Sequence, residues 1–512
     1  MNSPATLPPP PVVQPGPGQL RLRRMGIDTR NEHVVYLRSD SPVCHAEGFR
    51  ALSRLKVTAN GHTIIASLNT IVGNSLLEPH EVGVSEVVWE HLGARPGDEV
   101  HLMHLPPLES MHLLRAKMYG RRLLPEDYRA IMLDIAAERY SNVELAAFVT
   151  ACVRDFTTEE TIGLTQAMIA AGRQLHWPAH VVADKHSIGG LPGNRTTPIV
   201  VAIVAAAGLL MPKTSSRAIT SPAGTADTME VLTSVNLTLR QMRRVVAHHG
   251  ACLAWGGAMQ LSPADDILIR VERALDIDSP AQVVASVLSK KVAAGATHVV
   301  IDVPVGPTAK VRSLEEAQEM VALFRQVGQA VGLKVEVMLT DGSQPVGRGI
   351  GPALEARDVL AVLQNTPDAP PDLREKSLHL ATTLLELTGH AAAGTGAAEA
   401  ATLLSSGKAW QKFQDICQAQ GGLHFPKPAA LHWDMVATRP GLILNIDNRR
   451  LATLAKLAGA PWKASAGIDL YVRLRQPVQA GQPLFTLYAE SPGELTYARD
   501  YLHDSTEPII AY

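Results

Sequence analysis

The chain has 512 residues, of which 46% are hydrophobic, 19% charged and 4% aromatic, with a formal net charge of −2. That length exceeds one ordinary core and implies about two to four domains built on aliphatic side chains. The charge balance excludes a general nucleic-acid binder, and Cys44, Cys152, Cys252 and Cys417 form no CxxC pair, which excludes a zinc knuckle or a disulfide framework.

Residues 1–18 contain Pro8 to Pro11 and Pro15-Gly16-Pro17-Gly18 and read as a disordered Pro-rich tail. They show no apolar signal-peptide segment. The longest strongly apolar run, residues 198–211, is too short and too Ala-rich to span a bilayer. A soluble, cytoplasmic protein is expected. Residues 19–107 are strand-like, with β-rich runs at 33–37, 55–57, 63–68 and 99–104 and a hairpin turn at Asn60-Gly61. They predict an N-terminal β-rich domain.

Residues 108–177 change to helical period. Ser141 to Glu144 and Thr157 to Glu160 both fit a capping box, S/T-x-x-E. A helical domain is predicted here, joined by helices around 263–293. Residues 178–428 alternate β-branched runs, at 297–303 and 333–339, with helical patterns at 313–331 and 353–364. This alternation predicts a large α/β domain with a mainly parallel or mixed sheet. Residues 429–512 predict a small C-terminal α+β domain, with strands at 441–446, 468–474 and 484–488 and Lys456 in a short helix. The fold class is therefore multidomain α/β.

One stretch carries the chemistry. Residues 184–232 read DKHSIGGLPGNRTTPIVVAIVAAAGLLMPKTSSRAITSPAGTADTMEVL, two Gly-, Ser- and Thr-rich loops flanking an apolar run. The first loop is placed directly after a strand at 181–183, where parallel sheets bind ligands. Lys185, Ser187 and Thr197 lie in or beside it. Asn194 and Thr196 are read as N-caps of a helix over 197–208 that points its positive end at the loop. Ser215, Ser216, Arg217, Thr220, Ser221 and Thr225 crowd the second loop. Backbone N–H groups, hydroxyls and a cation suit phosphate. The plain alternative is that the hydroxyls cap helices and satisfy turns. Neither loop is a GxxxxGK[ST] or GxGxxG motif.

DKHSIGG with SSRAITSPAGTADTMEVL resembles the signature of the thymidine phosphorylase and AMP phosphorylase family. The resemblance continues through ASVLSKK at 285–291 and DGSQPVGR at 341–348, and covers roughly residues 100–490. The β-rich N-terminal domain points to the long, type 2 branch. The resemblance implies a pentosyltransferase that cleaves a pyrimidine nucleoside, thymidine by preference, with inorganic phosphate as co-substrate and no cofactor. It implies phosphate contacts from Lys185, Ser187, Thr197, Ser215 and Thr225, and base or sugar contacts from His186, Ser286 and Lys290. In the nucleotide branch, Gly190, the run Ser216, Arg217, Ala218, Ile219, Thr220 and Ser221, and Thr225, Ser286 and Lys310 match substrate positions. Asp278 matches the proton donor there; read alone, Asp278-Ser279-Pro280 is a helix start.

Phosphorolysis needs cations and N–H donors around a dianion, and a cation or proton donor for the leaving base. Lys290 or His186 fits the first of those base-stabilising roles, a protonated Asp278 the second. One departure stands out: a gapless alignment from Ser286 places Val271 where the short branch has a pyrimidine-contacting Arg, with Arg270 and Arg273 nearby. Together with the hydroxyl-rich run 216–221, this leaves a nucleoside 5′-monophosphate (AMP, CMP or UMP) as the alternative substrate. A reading of another class, Mg²⁺-dependent phosphoribosyl transfer, would use Asp227 and Glu230 as metal ligands. No metal site is otherwise predicted, because His104, His112 and His186 lack helical i,i+4 partners and His248-His249 reads as a solvated face. The expected partners are the small substrates and further copies of the chain, as a homodimer or larger homo-oligomer, not nucleic acid or membrane.

Overall fold

The computed structural model describes residues 20–29, 32–73, 76–106, 108–153, 156–218, 221–259, 261–277, 279–503 and 508–512. The Pro-rich tail lies outside them, as do Ile219, Thr220 and Asp278 among the candidate site residues. The chain divides into two compact units. One runs to Arg115 and includes residues 137–145; the other comprises 116–136 and everything from Ala146 onward.

In the first unit, strands β1 (Leu20–Arg24), β2 (Val34–Arg38), β3 (Arg54–Ala59), β4 (His62–Ile71), β5 (Glu81–Val84) and β6 (Glu99–His104) close into a barrel in the order β1-β5-β2-β4-β3-β6. Period-2 alternation turns Leu55, Val57 and Ala59 of β3 inward. Asn60 and Gly61 both have positive φ, 51° and 76°, as a tight two-residue hairpin turn requires. Short helices α1 (Pro42–Ala46) and α2 (Glu86–His91) complete the unit. Arg54 donates to the carbonyls of Glu138 and Tyr140, and His33 Nδ1 lies 2.9 Å from Glu138 Oε2, which fixes residues 137–145 to the barrel.

Helices α3 (Met111–Met118), α4 (Pro125–Ala136), α5 (Asn142–Ala151) and α6 (Thr158–Ala170) follow. Thr157 caps α6 in a full capping box with Glu160. In the second unit, α7 (Thr196–Ala206), α8 (Thr225–Glu230) and α9 (Leu239–His249) precede α10 (Pro263–Leu275) and α11 (Pro280–Ala293). Helix α10 packs on α4, and α11 on α6. Among the described residues the central sheet of this unit is parallel throughout. Strand β7 (Ala183–Ser187) is an edge of β11-β10-β7, with β10 (His298–Val305) central and β11 (Lys334–Asp341) outermost. A parallel bridge, Val182 to Leu210, carries it on to the parallel pair β8 (Met211–Ser215) and β9 (Ala251–Trp255). Helix α7 is buried from Thr196 through Ala205, which explains why its sequence is apolar on every face.

Helices α12 (Leu314–Ala330), α13 (Pro352–Leu363), α14 (Pro371–Leu387), α15 (Gly396–Ser405) and α16 (Lys408–Ala419) enclose the sheet. Strand β12 (Gly349–Ile350) starts a second sheet, β12-β16-β18-β13, built from β13 (Leu431–Val436), β16 (Gly467–Leu470) and β18 (Pro483–Ala489). The pairs β14 (Gly441–Leu442) with β17 (Pro477–Val478), and β15 (Asn445–Ile446) with β19 (Ile510–Ala511), close this α+β end. Helices α17 (Asn448–Leu457) and α18 (Pro492–His503) pack around its separate core. No described helix is long and apolar enough to cross a membrane.

Two local expectations need correction. The DKHS segment is not loop but strand β7 itself, because its polar side chains find buried partners on both faces. The N-cap of α7 is Arg195 rather than Asn194 or Thr196; Thr196 is already helical.

Candidate active site

Strand alternation splits DKHS into two pairs. Asp184 and His186 face one way, Lys185 and Ser187 the other. Asp184 is buried between two lysines, Lys213 at 3.3 Å and Lys291 of α11 at 2.9 Å. Burial alone would raise its pKa, but Lys213 and Lys291 outweigh that and hold it below the usual carboxylate range.

Lys185 is fully buried on the opposite face. Its Nζ donates to Thr196 Oγ1 at 2.6 Å and to Ser187 Oγ and Thr197 Oγ1, each at 3.3 Å. Burial pushes its pKa down to about 7; Asp302 opposes this, while Lys376, Lys213 and Arg195 add to it. Asp302, buried in the middle of β10, is a hub. Its Oδ2 accepts from Ser187 Oγ and from Asn194 Nδ2 (3.1 Å) and lies 3.1 Å from Lys376 Nζ; its Oδ1 accepts from Thr340 Oγ1 at 2.6 Å. Burial works against the charge of Asp302, and Lys376 with Lys185 more than offsets it. Ser187 therefore gives its proton to Asp302 while accepting from Lys185 and Asn194.

The second loop leaves β8 at Ser215, whose Oγ is buried without a hydrogen-bond partner among the described residues. Arg217 does not point to open solvent. Its guanidinium pairs with Glu230, reaches Asp227 at 3.4 Å and stacks over Trp255 at 4.8 Å. Asp227 Oδ2 accepts the N–H groups of Ala218 (2.6 Å) and Gly224 (2.8 Å). The two carboxylates that a Mg²⁺ reading would use are thus engaged in holding this loop. Ser221 Oγ donates to the Ala223 carbonyl at 2.9 Å, and Thr225 Oγ1 accepts from Arg195 at 2.9 Å. Ser216 and Ala218 line the same loop, the Ser216 carbonyl accepting the Ala226 N–H.

Facing β7, α11 carries Ser286 and Lys290 one turn apart on a partly exposed face. Lys290 Nζ lies 2.6 Å from the buried Asp265. Burial disfavours its charge, but Asp265 outweighs that and keeps its pKa above the ordinary value. His186 behaves oppositely. Burial, then Lys291, Lys213, Lys290 and Lys185, hold its pKa well below the usual imidazole range. Of the two candidates for a cation at the base, Lys290 keeps its charge and His186 is neutral.

Gly190 has φ +93°, and a Cβ there would sit 2.7 Å from the Lys310 nitrogen. The loops after β7 and β10 therefore touch at this glycine, which brings Lys310 to the same sheet end. Gly190→Ala is expected to strain this turn and separate the loops, lowering Tm and raising substrate KM roughly tenfold; steady-state kinetics and calorimetry check this, and unchanged KM and Tm contradict it.

The structure thus gathers Lys185, Ser187, Thr197, Ser215 and Thr225 around the carboxyl ends of β7 and β8, with His186 and Lys290 on the other face of β7. It also adds residues the sequence reading passed over. Asp302 had a signal, a lone charge in the run VVIDVPV. Arg195, Lys376, Asp265 and Glu355 had none that local pattern reveals.

Three family models match the chain in succession. They are the glycosyl transferase family helical bundle domain over residues 111–172, the glycosyl transferase family a/b domain over 179–410, and the pyrimidine nucleoside phosphorylase C-terminal domain over 442–508. A Polaromonas protein named "Putative thymidine phosphorylase" is 58% identical over 503 residues, 98% of either chain. The chain belongs to the thymidine phosphorylase family. A Ralstonia nicotianae relative of the same name is 57% identical over 493 residues, 96% of this chain and 97% of that one. Among solved structures, anthranilate phosphoribosyltransferase from Thermus thermophilus is similar with a TM-score of 0.52 at 18% identity, covering 60% of this chain and 98% of that one. That likeness shows a shared fold.

Proposed function

We propose that the protein is a pentosyltransferase that phosphorolyses a pyrimidine nucleoside, thymidine by preference, to the free base and (deoxy)ribose 1-phosphate. The observation that carries this is Lys185. It is a buried cation whose Nζ hydrogen bonds, among the described residues, all go to hydroxyls at the carboxyl end of a parallel strand. Such a cation lacks a direct carboxylate partner and suits a dianion. Phosphate held there by Lys185, Thr197, Ser215 and Thr225 attacks the anomeric carbon. A C–O bond forms, the C–N bond breaks, and its electron pair leaves on the base, where Lys290 stabilises the charge. No cofactor enters this scheme.

The nucleotide reading stays as the second one, on the hydroxyl-rich run 216–221. The pairing of Arg217 with Glu230 favours the nucleoside, because that cation is already neutralised. Incubation with phosphate and either thymidine or AMP, with assay of released base, tests the proposal. Phosphate-dependent release of thymine that persists in EDTA is expected. Release from AMP but not from thymidine overturns it, and loss of activity in EDTA points to the Mg²⁺-dependent reading.

The pKa of Lys185 gives a pH dependence. Near pH 7 the free enzyme begins to lose this proton, whereas dianionic phosphate needs the ammonium. The KM for phosphate should therefore rise above pH 7, approaching roughly tenfold per pH unit at alkaline pH. A KM that stays flat from pH 7 to 9 contradicts the assignment.

A further inference from the structure

We infer that Arg195 is a positioning residue for phosphate, one that fixes the Thr225 hydroxyl as a hydrogen-bond donor toward the attacking oxyanion. The inference rests on the functional reading above.

Arg195 occupies the N-cap of α7 with φ −101° and ψ 46°, but its side chain makes no capping bond. It crosses instead to the second loop. Nε donates to Glu355 Oε2 at 2.6 Å, Nη1 to Thr225 Oγ1 at 2.9 Å and Nη2 to the Ala223 carbonyl at 2.9 Å. Glu355 is buried at the start of α13 and also accepts from Thr228 Oγ1 at 3.1 Å and the Gly351 N–H at 3.4 Å. An ion pair serving only to join α7 to α13 needs the Nε contact alone. The other two donors go to the loop that carries Thr225.

Proton direction makes this functional. A threonine hydroxyl has one proton and two acceptor positions. A guanidinium only donates, so Thr225 accepts from it and must turn its own proton elsewhere. The same holds at Lys185, whose ammonium only donates, so Thr196 and Thr197 accept and direct their protons away from it. Phosphate oxygens accept hydrogen bonds. Arg195 at the second loop and Lys185 at the first thus impose the same polarity, each leaving a threonine hydroxyl with its proton turned away from the cation and available to an acceptor. Because Glu355 neutralises Arg195, the contribution is orientation rather than attraction.

The test is calorimetric titration of the full chain with inorganic phosphate. Arg195→Met combined with Glu355→Gln removes the pair without leaving a buried unpaired carboxylate. This double variant and Thr225→Val are each expected to weaken phosphate binding roughly tenfold. Adding the double substitution to Thr225→Val should weaken it no further, because Arg195 acts through that hydroxyl. Unchanged phosphate affinity in the double variant, or multiplying effects in the combination, overturns the inference. Should the double variant not fold, Arg195→Lys decides: it keeps the charge but not the fork, so weakened binding supports the inference and unchanged binding overturns it. A native chain that shows no saturable phosphate binding overturns the functional reading itself, which separates the two failures.

Discussion

Lys185→Met is expected to lower phosphorolysis by roughly a hundred- to a thousandfold while leaving Tm unchanged or higher. The loss follows from removing the buried cation that the proposed function sets against a phosphate dianion in a dry site, where such groups contribute most. The gain in stability follows from where Lys185 sits. Its ammonium is completely buried and bonded to neutral hydroxyls, and its pKa falls to about 7. The native state therefore binds fewer protons than the unfolded chain between about pH 7 and the ordinary lysine pKa of about 10.4, so this group makes stability rise with pH across that window. At neutral pH its burial is a cost that a methionine of similar volume does not carry. Steady-state kinetics with calorimetry checks both halves. A Met variant that is active, or one that is inactive only because it unfolds, contradicts the account.

The largest effect on stability is expected at Glu160. Its side chain is 3% exposed, and Oε1 accepts from Lys117 Nζ at 2.6 Å, Tyr128 Oη at 2.9 Å and the Leu123 N–H at 3.2 Å. Its Oε2 takes the Thr157 N–H at 3.3 Å, closing the capping box. Glu160→Ala strands a buried ammonium, a buried phenol and two N–H groups at once, a loss of about 3–5 kcal/mol by analogy with broken buried pairs. Glu160→Gln keeps much of the geometry and should lose less, about 1–3 kcal/mol. Burial by itself would raise the carboxyl pKa of Glu160, and Lys117 with the N–H and hydroxyl donors outweighs it, leaving the pKa lowered. That stabilisation is present above the unfolded carboxylate pKa and is lost as pH falls through the lower folded value. Denaturant unfolding of the two variants measures this. Equal midpoints for Glu160→Ala and the native chain contradict it.

Glu160 also shows how far sequence alone reaches. Three-residue spacing from Thr157 marks the cap, because capping is local. That the same carboxylate receives Lys117, 43 positions away, has no local trace. The Asn60-Gly61 hairpin was legible for the first reason. The closed barrel was not, since closure depends on pairs such as Leu20 with Val100. In the candidate site, composition singled out DKHS and the Ser/Thr-rich loop, which the fold places at neighbouring strand ends. It misassigned DKHS as loop, because polar strand residues hide the period-2 pattern that apolar ones reveal. Arg195 and Glu355 lie 160 positions apart, and only the fold brings them together.

Whether one phosphate binds between the two Ser/Thr-rich segments at the ends of β7 and β8 is decided by a crystal structure of the chain with inorganic phosphate. A single tetrahedral ion is expected within hydrogen-bond distance of Lys185 Nζ and the hydroxyls of Thr197, Ser215 and Thr225. Phosphate bound away from these groups contradicts it, and two phosphates between the loops contradict the nucleoside assignment in favour of a nucleotide.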